Sequence, residues 1–176
     1  MKARKRARKA RFIAYVASSI DGRISLTAKK RPDWTSPEDW AFFQKKLGKA
    51  DAVVVGRNTY EAAKTRLRAR NTYVFSSKVT EVVRRGTVTF LNPARIDIAD
   101  MLKDYKTIAV IGGGRVYQAM LNKGLLDELY VTIEPLVFGR GVEMFKGGSK
   151  AHAMKLLSVK RLNAKGTLLL RYQAIR

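Results

Sequence analysis

Three consecutive glycines, Gly112, Gly113 and Gly114, follow the apolar run 107–111 and precede Arg115, Val116 and Tyr117. The run is short and rich in β-branched residues, which reads as a buried strand. Glycine lets the backbone turn sharply and come close to a ligand. A helix over 115–122 would then open with unpaired N–H groups and the positive end of its dipole, a setting that suits a phosphate. A tight strand-to-helix turn with no ligand accounts for the same glycines equally well. Two further junctions share this character. The apolar stretch 52–55 stops at Gly56-Arg57-Asn58-Thr59, where Asn58 or Thr59 can cap the next helix, and 72–75 stops at Ser76-Ser77-Lys78. In an open parallel sheet, ligands bind outside the carboxyl ends of the strands. Three such ends bearing Gly, Ser, Arg or Lys favour a nucleotide site more than any one of them alone.

The acid with the most chemical interest is Asp39. It lies in the first turn of a predicted helix that starts with Ser36 as cap and Pro37 as first residue. Trp40, Phe43 and Leu47 recur at helical spacing and should face the core, which puts Asp39 at the edge of the buried face. Compensation of the helix dipole explains the same position, and on the residues alone it is the favoured reading. With no cysteine, thiolate and disulfide chemistry are excluded, and the single histidine, His152, reads as a surface residue unable to build a His-rich metal site.

The elements that must hold these groups alternate along the chain. Strands are predicted at 12–17, 52–55, 72–75, 87–90 (an edge strand), 107–111 and 129–133. Helices are predicted after Ser36 up to Gly48, after Gly56, and over 96–105 and 115–122. Asp21-Gly22 marks a turn, and the stretch on to Trp34 reads as a surface loop long enough to act as a flap. Segments 155–161 and 167–174 form a closing β-hairpin. Strands alternating with helices imply an α/β domain with a mixed sheet. At 176 residues the chain is one domain, with 46% apolar residues, no long apolar run for a membrane span and no apolar signal segment, so a cytoplasmic location is expected.

Charge is the unusual feature. Lys and Arg number 36 against 14 Asp and Glu, a net +22. Seven of the cations fall in the first eleven positions, and taking them away still leaves about +15 on the rest. Residues 1–11 are expected to be a basic mobile tail ahead of a domain over 12–176. A field of this sign attracts nucleotides, folate-like carboxylates, nucleic acid or anionic lipid.

Together the segments from residue 12 onward resemble dihydrofolate reductase, and more broadly the superfamily it shares with the pyrimidine reductase of riboflavin synthesis. Ile111-Gly112-Gly113-Gly114-Arg115-Val116-Tyr117 is similar to the family's cofactor loop. Val55-Gly56-Arg57-Asn58-Thr59-Tyr60-Glu61 resembles its second motif, and the segment from Asp33 and Trp34 to Phe43 its Trp, Pro, Asp and Phe pattern. The resemblance implies a three-layer fold: a mostly parallel central sheet, a C-terminal antiparallel hairpin and helices on both faces. It implies NADPH-dependent reduction of dihydrofolate, with hydride transfer to C6 and protonation at N5. Asp39 would hold the pterin, Thr132 would hydrogen-bond that acid, and Trp34 would shape a flap. Phe43, Leu67, Ile111 and Tyr117 would line the substrate pocket, and Arg70 would take the glutamate carboxylate. Ala17, Gly56, Arg57, Asn58, Thr59, Ser76, Ser77, Lys78 and the loop from Gly112 to Tyr117 would contact NADPH, with Arg57 and Ser77 at the 2′-phosphate. A cis peptide between Gly112 and Gly113 is implied as well.

Other segments follow the riboflavin branch instead: Ser19-Ile20-Asp21-Gly22-Arg23-Ile24, Gly124-Leu125-Leu126-Asp127-Glu128-Leu129-Tyr130, and Glu134-Pro135 with Gly139-Arg140-Gly141. That branch's Asp-x-Pro after the Gly-x-x-Thr motif is replaced here by Tyr60-Glu61-Ala62-Ala63-Lys64. The substrate-facing residues therefore put dihydrofolate first. Reduction of a diaminopyrimidine ribosyl phosphate is the alternative, and a basic nucleic-acid-binding protein on the same fold is the reading from another class. A monomer or homodimer, weak nucleic-acid contact through the tail, no membrane partner and no metal complete the expectations.

Overall fold

The structure is a computed structural model that describes residues 10–27, 33–148 and 150–175. Strand β1 (Arg11–Ser18) is followed by the short β2 (Arg23–Ser25), helix α1 (Pro37–Leu47), β3 (Ala52–Gly56), α2 (Arg57–Leu67) and β4 (Thr72–Phe75). Next come β5 (Val83–Arg85), β6 (Val88–Leu91), the single turn α3 (Ile98–Met101), β7 (Thr107–Val110) and α4 (Gly114–Asn122). The chain closes with β8 (Leu126–Ile133), β9 (Val142–Glu143), β10 (Met154–Arg161) and β11 (Leu168–Ala174).

Nine strands form one sheet in the order β10-β11-β8-β1-β7-β3-β4-β6-β5. Its centre is parallel, and antiparallel pairs occur only at β5–β6, β8–β11 and β10–β11. The central strands are apolar throughout because both faces are covered. Along β1, Phe12, Ala14 and Val16 join the core beneath α3 and α4, while Ile13 and Tyr15 join the core beneath α1 and α2. The expected three-layer α/β architecture is the one observed.

Several local expectations are corrected. Residues 1–9 lie outside the described residues, but Ala10 is buried and Arg11 opens β1, where it pairs with the buried Glu128, so Arg11 belongs to the domain rather than to a tail. Residues 87–90 are not the sheet edge. The exposed β5, with two arginines in three residues, covers that strand, and a short charged strand is a good edge because it discourages pairing with another chain. Helix 96–105 shrinks to one turn: Asp97 caps it and Leu102 leaves helical geometry, which frees Tyr105 to reach the Tyr73 hydroxyl at 3.1 Å. Neither Asn58 nor Thr59 caps α2, since the helix already starts at Arg57 with Gly56 as its cap.

The stretch expected as a plain loop after Asp21-Gly22 contains β2, which pairs antiparallel with β9. Residues 28–32, the middle of the expected flap, lie outside the described residues. Asp21 ties this region down. Its carboxylate accepts from the Ser19 hydroxyl at 2.6 Å and from the amides of Phe138 and Gly139 at 3.0 and 2.8 Å. Those donors, the Ser19 hydroxyl foremost, pull its pKa down to about 2. The folded value lies below the unfolded one, so the tie is complete above about pH 4 and is lost as pH falls through the folded value. The Phe138 and Gly139 amide resonances are expected to titrate with a midpoint near 2. A midpoint near about 4, the ordinary aspartate value, would show that the carboxylate is not held.

Candidate active site

The carboxyl ends of β3, β4 and β7 meet at one rim. Gly56 donates its N–H to the Gly112 carbonyl at 2.6 Å, locking two of the glycine turns together. Neither α2 nor α4 receives a side-chain cap, whereas α1 is capped by Ser36 and α3 by Asp97. The two helices that start at this rim thus leave first-turn N–H groups to an external acceptor. The Gly112–Gly113 peptide is cis, as the resemblance implies.

Each glycine in the loop answers a different demand. Gly112 sits at φ +112, a conformation side chains rarely adopt. At Gly114 a Cβ would stand 2.3 Å from the Glu143 carbonyl oxygen, so the requirement there comes from β9 rather than from a ligand. A Cβ on Gly113 would meet only the Thr59 hydroxyl, at 3.6 Å. Behind the loop, the buried Tyr117 hydroxyl donates to the Tyr15 carbonyl at 2.7 Å.

A cleft of about 1380 Å³ runs from this rim across the sheet to α1. At one end stand Arg57, Ser77, Lys78 and Arg115 beside the glycine turns. At the other, Tyr15, Trp40, Phe42, Phe43 and Tyr130 form an aromatic wall. Tyr15 stacks on Tyr130 at 5.3 Å between ring centres, and burial, with Tyr130 beside it, pushes the Tyr15 phenol up to about 12. Among the described residues lining the cleft, Asp39 is the only carboxyl.

Asp39 is the third residue of α1, its amide 3.3 Å from the Ser36 hydroxyl, and only 7% of the residue is exposed. Burial raises its pKa, a hydrogen bond from the Thr132 hydroxyl pulls the other way, and the negative charge of Glu134 raises it further. A first-turn acid serving the helix dipole would be solvated, as its neighbour Glu38 is. Asp39 instead is buried and faces the cleft, while still standing in the first turn of α1 where the helix dipole favours an acid. Glu134, buried itself, holds α1 in place: it accepts from the Ser36 amide and from the Thr167 hydroxyl, both at 2.7 Å.

The cleft brings together nearly every residue singled out from the sequence. Ala17, Phe43, Leu67, Arg70, Ile111, Tyr117 and Thr132 line it, as do the residues at the three strand ends. Leu67 is also 2% exposed and packs in the core. Arg70 spends one guanidinium nitrogen on the Leu47 carbonyl at 3.0 Å. Trp34 is the exception, because the cleft lining does not include it and its ring packs edge-on against Phe138, 5.0 Å between centres. The residue beside it, Thr35, lines the cleft instead. His152 is partly exposed at the surface, where its ring lies 3.2 Å from the Asn122 side-chain oxygen. Missed from the sequence were Tyr15, Tyr130 and Glu134. The apolar character of β1 and β8 concealed the tyrosines, and the Glu134-Pro135 dipeptide was the one available sign of the last.

The donor set fits a phosphorylated nucleotide cofactor: two uncapped helix starts, three flanking cations and a glycine loop. No described helix is long and apolar enough to cross a membrane, and no described group of His, Cys, Asp and Glu could hold a metal ion.

Comparison with known proteins agrees on fold and corrects the family. The chain is 26% identical over 169 residues to the uncharacterized protein YwjB of Bacillus subtilis (strain 168), covering 88% of this chain and 89% of that one. It superimposes on a Thermotoga maritima diaminohydroxyphosphoribosylaminopyrimidine deaminase/5-amino-6-(5-phosphoribosylamino)uracil reductase with TM-score 0.74 at 15% identity, covering 95% of this chain and 57% of that one. Dihydrofolate reductase from Enterococcus faecalis, in complex with NADP(H), matches with TM-score 0.64 at 23% identity over 94% of this chain and 97% of that one. The dihydrofolate reductase-like fold is therefore present, but membership of the dihydrofolate reductase family itself is not what the sequence supports. Residues 11–168 match the RibD C-terminal domain, and the chain belongs to that family.

Proposed function

We propose that this protein is an NADPH-dependent reductase of a pyrimidine bearing a phosphoribosylamino group. The observation that carries the reading is one continuous cleft with two chemically distinct ends, a cationic glycine rim and an aromatic slot around one buried carboxyl. NADPH, when bound, supplies a hydride from its nicotinamide ring. Arg57, Ser77, Lys78, Arg115 and the α2 and α4 starts would hold its phosphates. The reducible carbon of an N-ribosylamine is C1′ in the ring-opened imine form. Hydride adds there and the nitrogen gains a proton, so substrate, NADPH and one proton yield a ribitylamine and NADP⁺. Asp39, kept more basic than an exposed acid by burial, would bind the pyrimidine edge and store the proton beside it. The aromatic wall would stack the ring and exclude water.

Arg57→Ala is expected to weaken NADPH roughly tenfold or more while changing NADH little, since a charge-assisted hydrogen bond contributes about 1.5–3 kcal/mol. Apparent affinities for the two cofactors, measured by fluorescence, check this, and an unchanged ratio would remove Arg57 from the 2′-phosphate.

A second reading, dihydrofolate reduction, is favoured by the Asp39–Thr132 pair, since a carboxylate also accepts the paired donors of a pterin edge. NADPH oxidation assayed side by side with the phosphoribosylaminopyrimidine and with dihydrofolate separates the two. Turnover of the first and none of the second is expected. The reverse would overturn the assignment.

A further inference from the structure

We propose that the β1-β8-β11-β10 end of the sheet, on its α1 side, is a docking surface for nucleic acid, which it grips by the backbone phosphates. The surface lies apart from the cleft and does not depend on which substrate the cleft takes. Pairing register decides which side chains share it. Tyr15, Tyr130, Arg171 and Ser158 stand in one row across the four strands. Ile13, Glu128, Gln173 and Lys155 form a second row, and Ala17, Thr132, Leu169 and Lys160 a third. Ile13, Tyr15, Tyr130 and Leu169 belong to the core beneath α1 and α2, which puts all three rows on that side. Under α1 the rows are largely apolar, and toward the β10 edge they turn basic.

Lys155 and Lys160 are exposed there, and Arg171 is partly exposed. Arg11, two residues before Ile13, shares their side, and Lys46 joins them from the last turn of α1, its ammonium 4.9 Å from the centre of the Tyr130 ring. Glu128, the acid in these rows, is buried and shared by Arg11 and Arg171, so two cations meet one carboxylate and positive charge is left over. None of the five cations lines the cleft. Four strands about 4.8 Å apart, and five residues of β10 at about 3.3 Å each, make a surface of roughly 15 Å by 15 Å. That meets several phosphates of a strand carrying one charge per about 3.4 Å of duplex axis. The chain adds charge at the same place. Positions 1–9 hold six Lys and Arg and no acid, and they join the domain at Ala10, next to Arg11. A lipid surface fits less well, because it draws on buried apolar side chains as well as on charge. The exposed Leu156 and Val159 of β10 pair with Tyr172 and Leu170, on the opposite side of the sheet.

The test is fluorescence anisotropy of a short labelled single-stranded RNA of mixed sequence, titrated with the full chain over a range of salt concentrations. Binding that weakens steeply with salt is expected. The double variant Lys155→Gln/Lys160→Gln should weaken it by on the order of tenfold and make the log–log salt slope shallower by about 1 per lysine. NADPH affinity should not change, since neither lysine lines the cleft. Arg84→Gln/Arg85→Gln removes the same charge from β5, at the far edge of the sheet, and should leave RNA binding close to native. Equal losses in the two double variants would mean a response to net charge alone and would overturn the surface. So would the absence of RNA binding, or a loss seen only when the six cations of positions 1–9 are replaced by glutamine. Tighter binding to phosphatidylserine vesicles than to RNA, lost in Lys155→Gln/Lys160→Gln, would make the partner a membrane and overturn the nucleic-acid assignment.

Discussion

Asp39→Asn is expected to leave NADPH binding intact and to cut reductive turnover by about a hundredfold or more, the usual scale for loss of a positioned acid–base group. The amide keeps the size of the carboxyl and can still accept from Thr132, but it can neither carry the proton nor hold a charge against the pyrimidine. Loss of folding does not explain such a result. The pKa of Asp39 is raised in the folded state by burial and by Glu134. A raised acid contributes its stability at low pH and loses it as pH rises through the folded value. Above that value the charged form is a cost, which asparagine removes. The variant should therefore melt at the same temperature as the native protein or higher near pH 8, while its turnover falls. Near-native turnover with either candidate substrate would remove Asp39 from the chemistry. A lowered melting temperature would instead assign it a structural role.

Gly114→Ala is expected to damage fold and cofactor binding together. The added methyl would stand 2.3 Å from the Glu143 carbonyl oxygen and 3.2 Å from that of Met144, both backbone atoms that no rotamer change can move. Strand β9 would have to shift, carrying its partner β2 and the Lys146–Gly114 hydrogen bond with it. Overpacking of this kind typically costs about 1–3 kcal/mol, which in a domain of this size lowers the melting temperature by roughly 2–4 °C per kcal/mol. Because the first turn of α4 moves with β9, NADPH affinity should fall as well. Thermal unfolding with and without NADPH checks both effects. An unchanged melting temperature would mean that β9 yields freely and that the loop is less tightly fixed than its packing indicates.

The parallel core and the three strand ends were legible in the sequence because they rest on local patterns. Buried parallel strands read as unbroken apolar runs such as residues 52–55, and glycine or serine marks where each run turns into a helix. Asp39 was legible as a candidate through the Ser36-Pro37 helix start, yet its role was not, because the burial that sets it apart from Glu38 comes from β8 and the aromatic wall. The β2–β9 pair could not be read at all. Its two strands lie more than a hundred residues apart and are held by Gly141 fitting against Ser25. Tyr15 and Tyr130 were hidden for a similar reason, since a tyrosine inside an apolar strand looks like core until the register sets the two rings face to face. Trp34 shows the converse. Its place in a recognisable motif suggested a flap, and what the structure shows is its ring packed on Phe138 and left out of the cleft lining. The motifs also favoured dihydrofolate over the ribosyl pyrimidine, because Asp39, Arg70 and Thr132 fit a pterin on residue type, while the match over residues 11–168 weighs the whole chain.

In the proposed reaction one cleft takes NADPH at its glycine rim and delivers hydride to a ribosylamine held beside Asp39. Turnover with NADPH deuterated at the transferable position of the nicotinamide, followed by mass spectrometry and NMR of the product, reads out that transfer. One deuterium is expected at C1′ of a ribitylaminopyrimidine phosphate. Deuterium at C6 of tetrahydrofolate, or no transfer to the pyrimidine substrate at all, would contradict it.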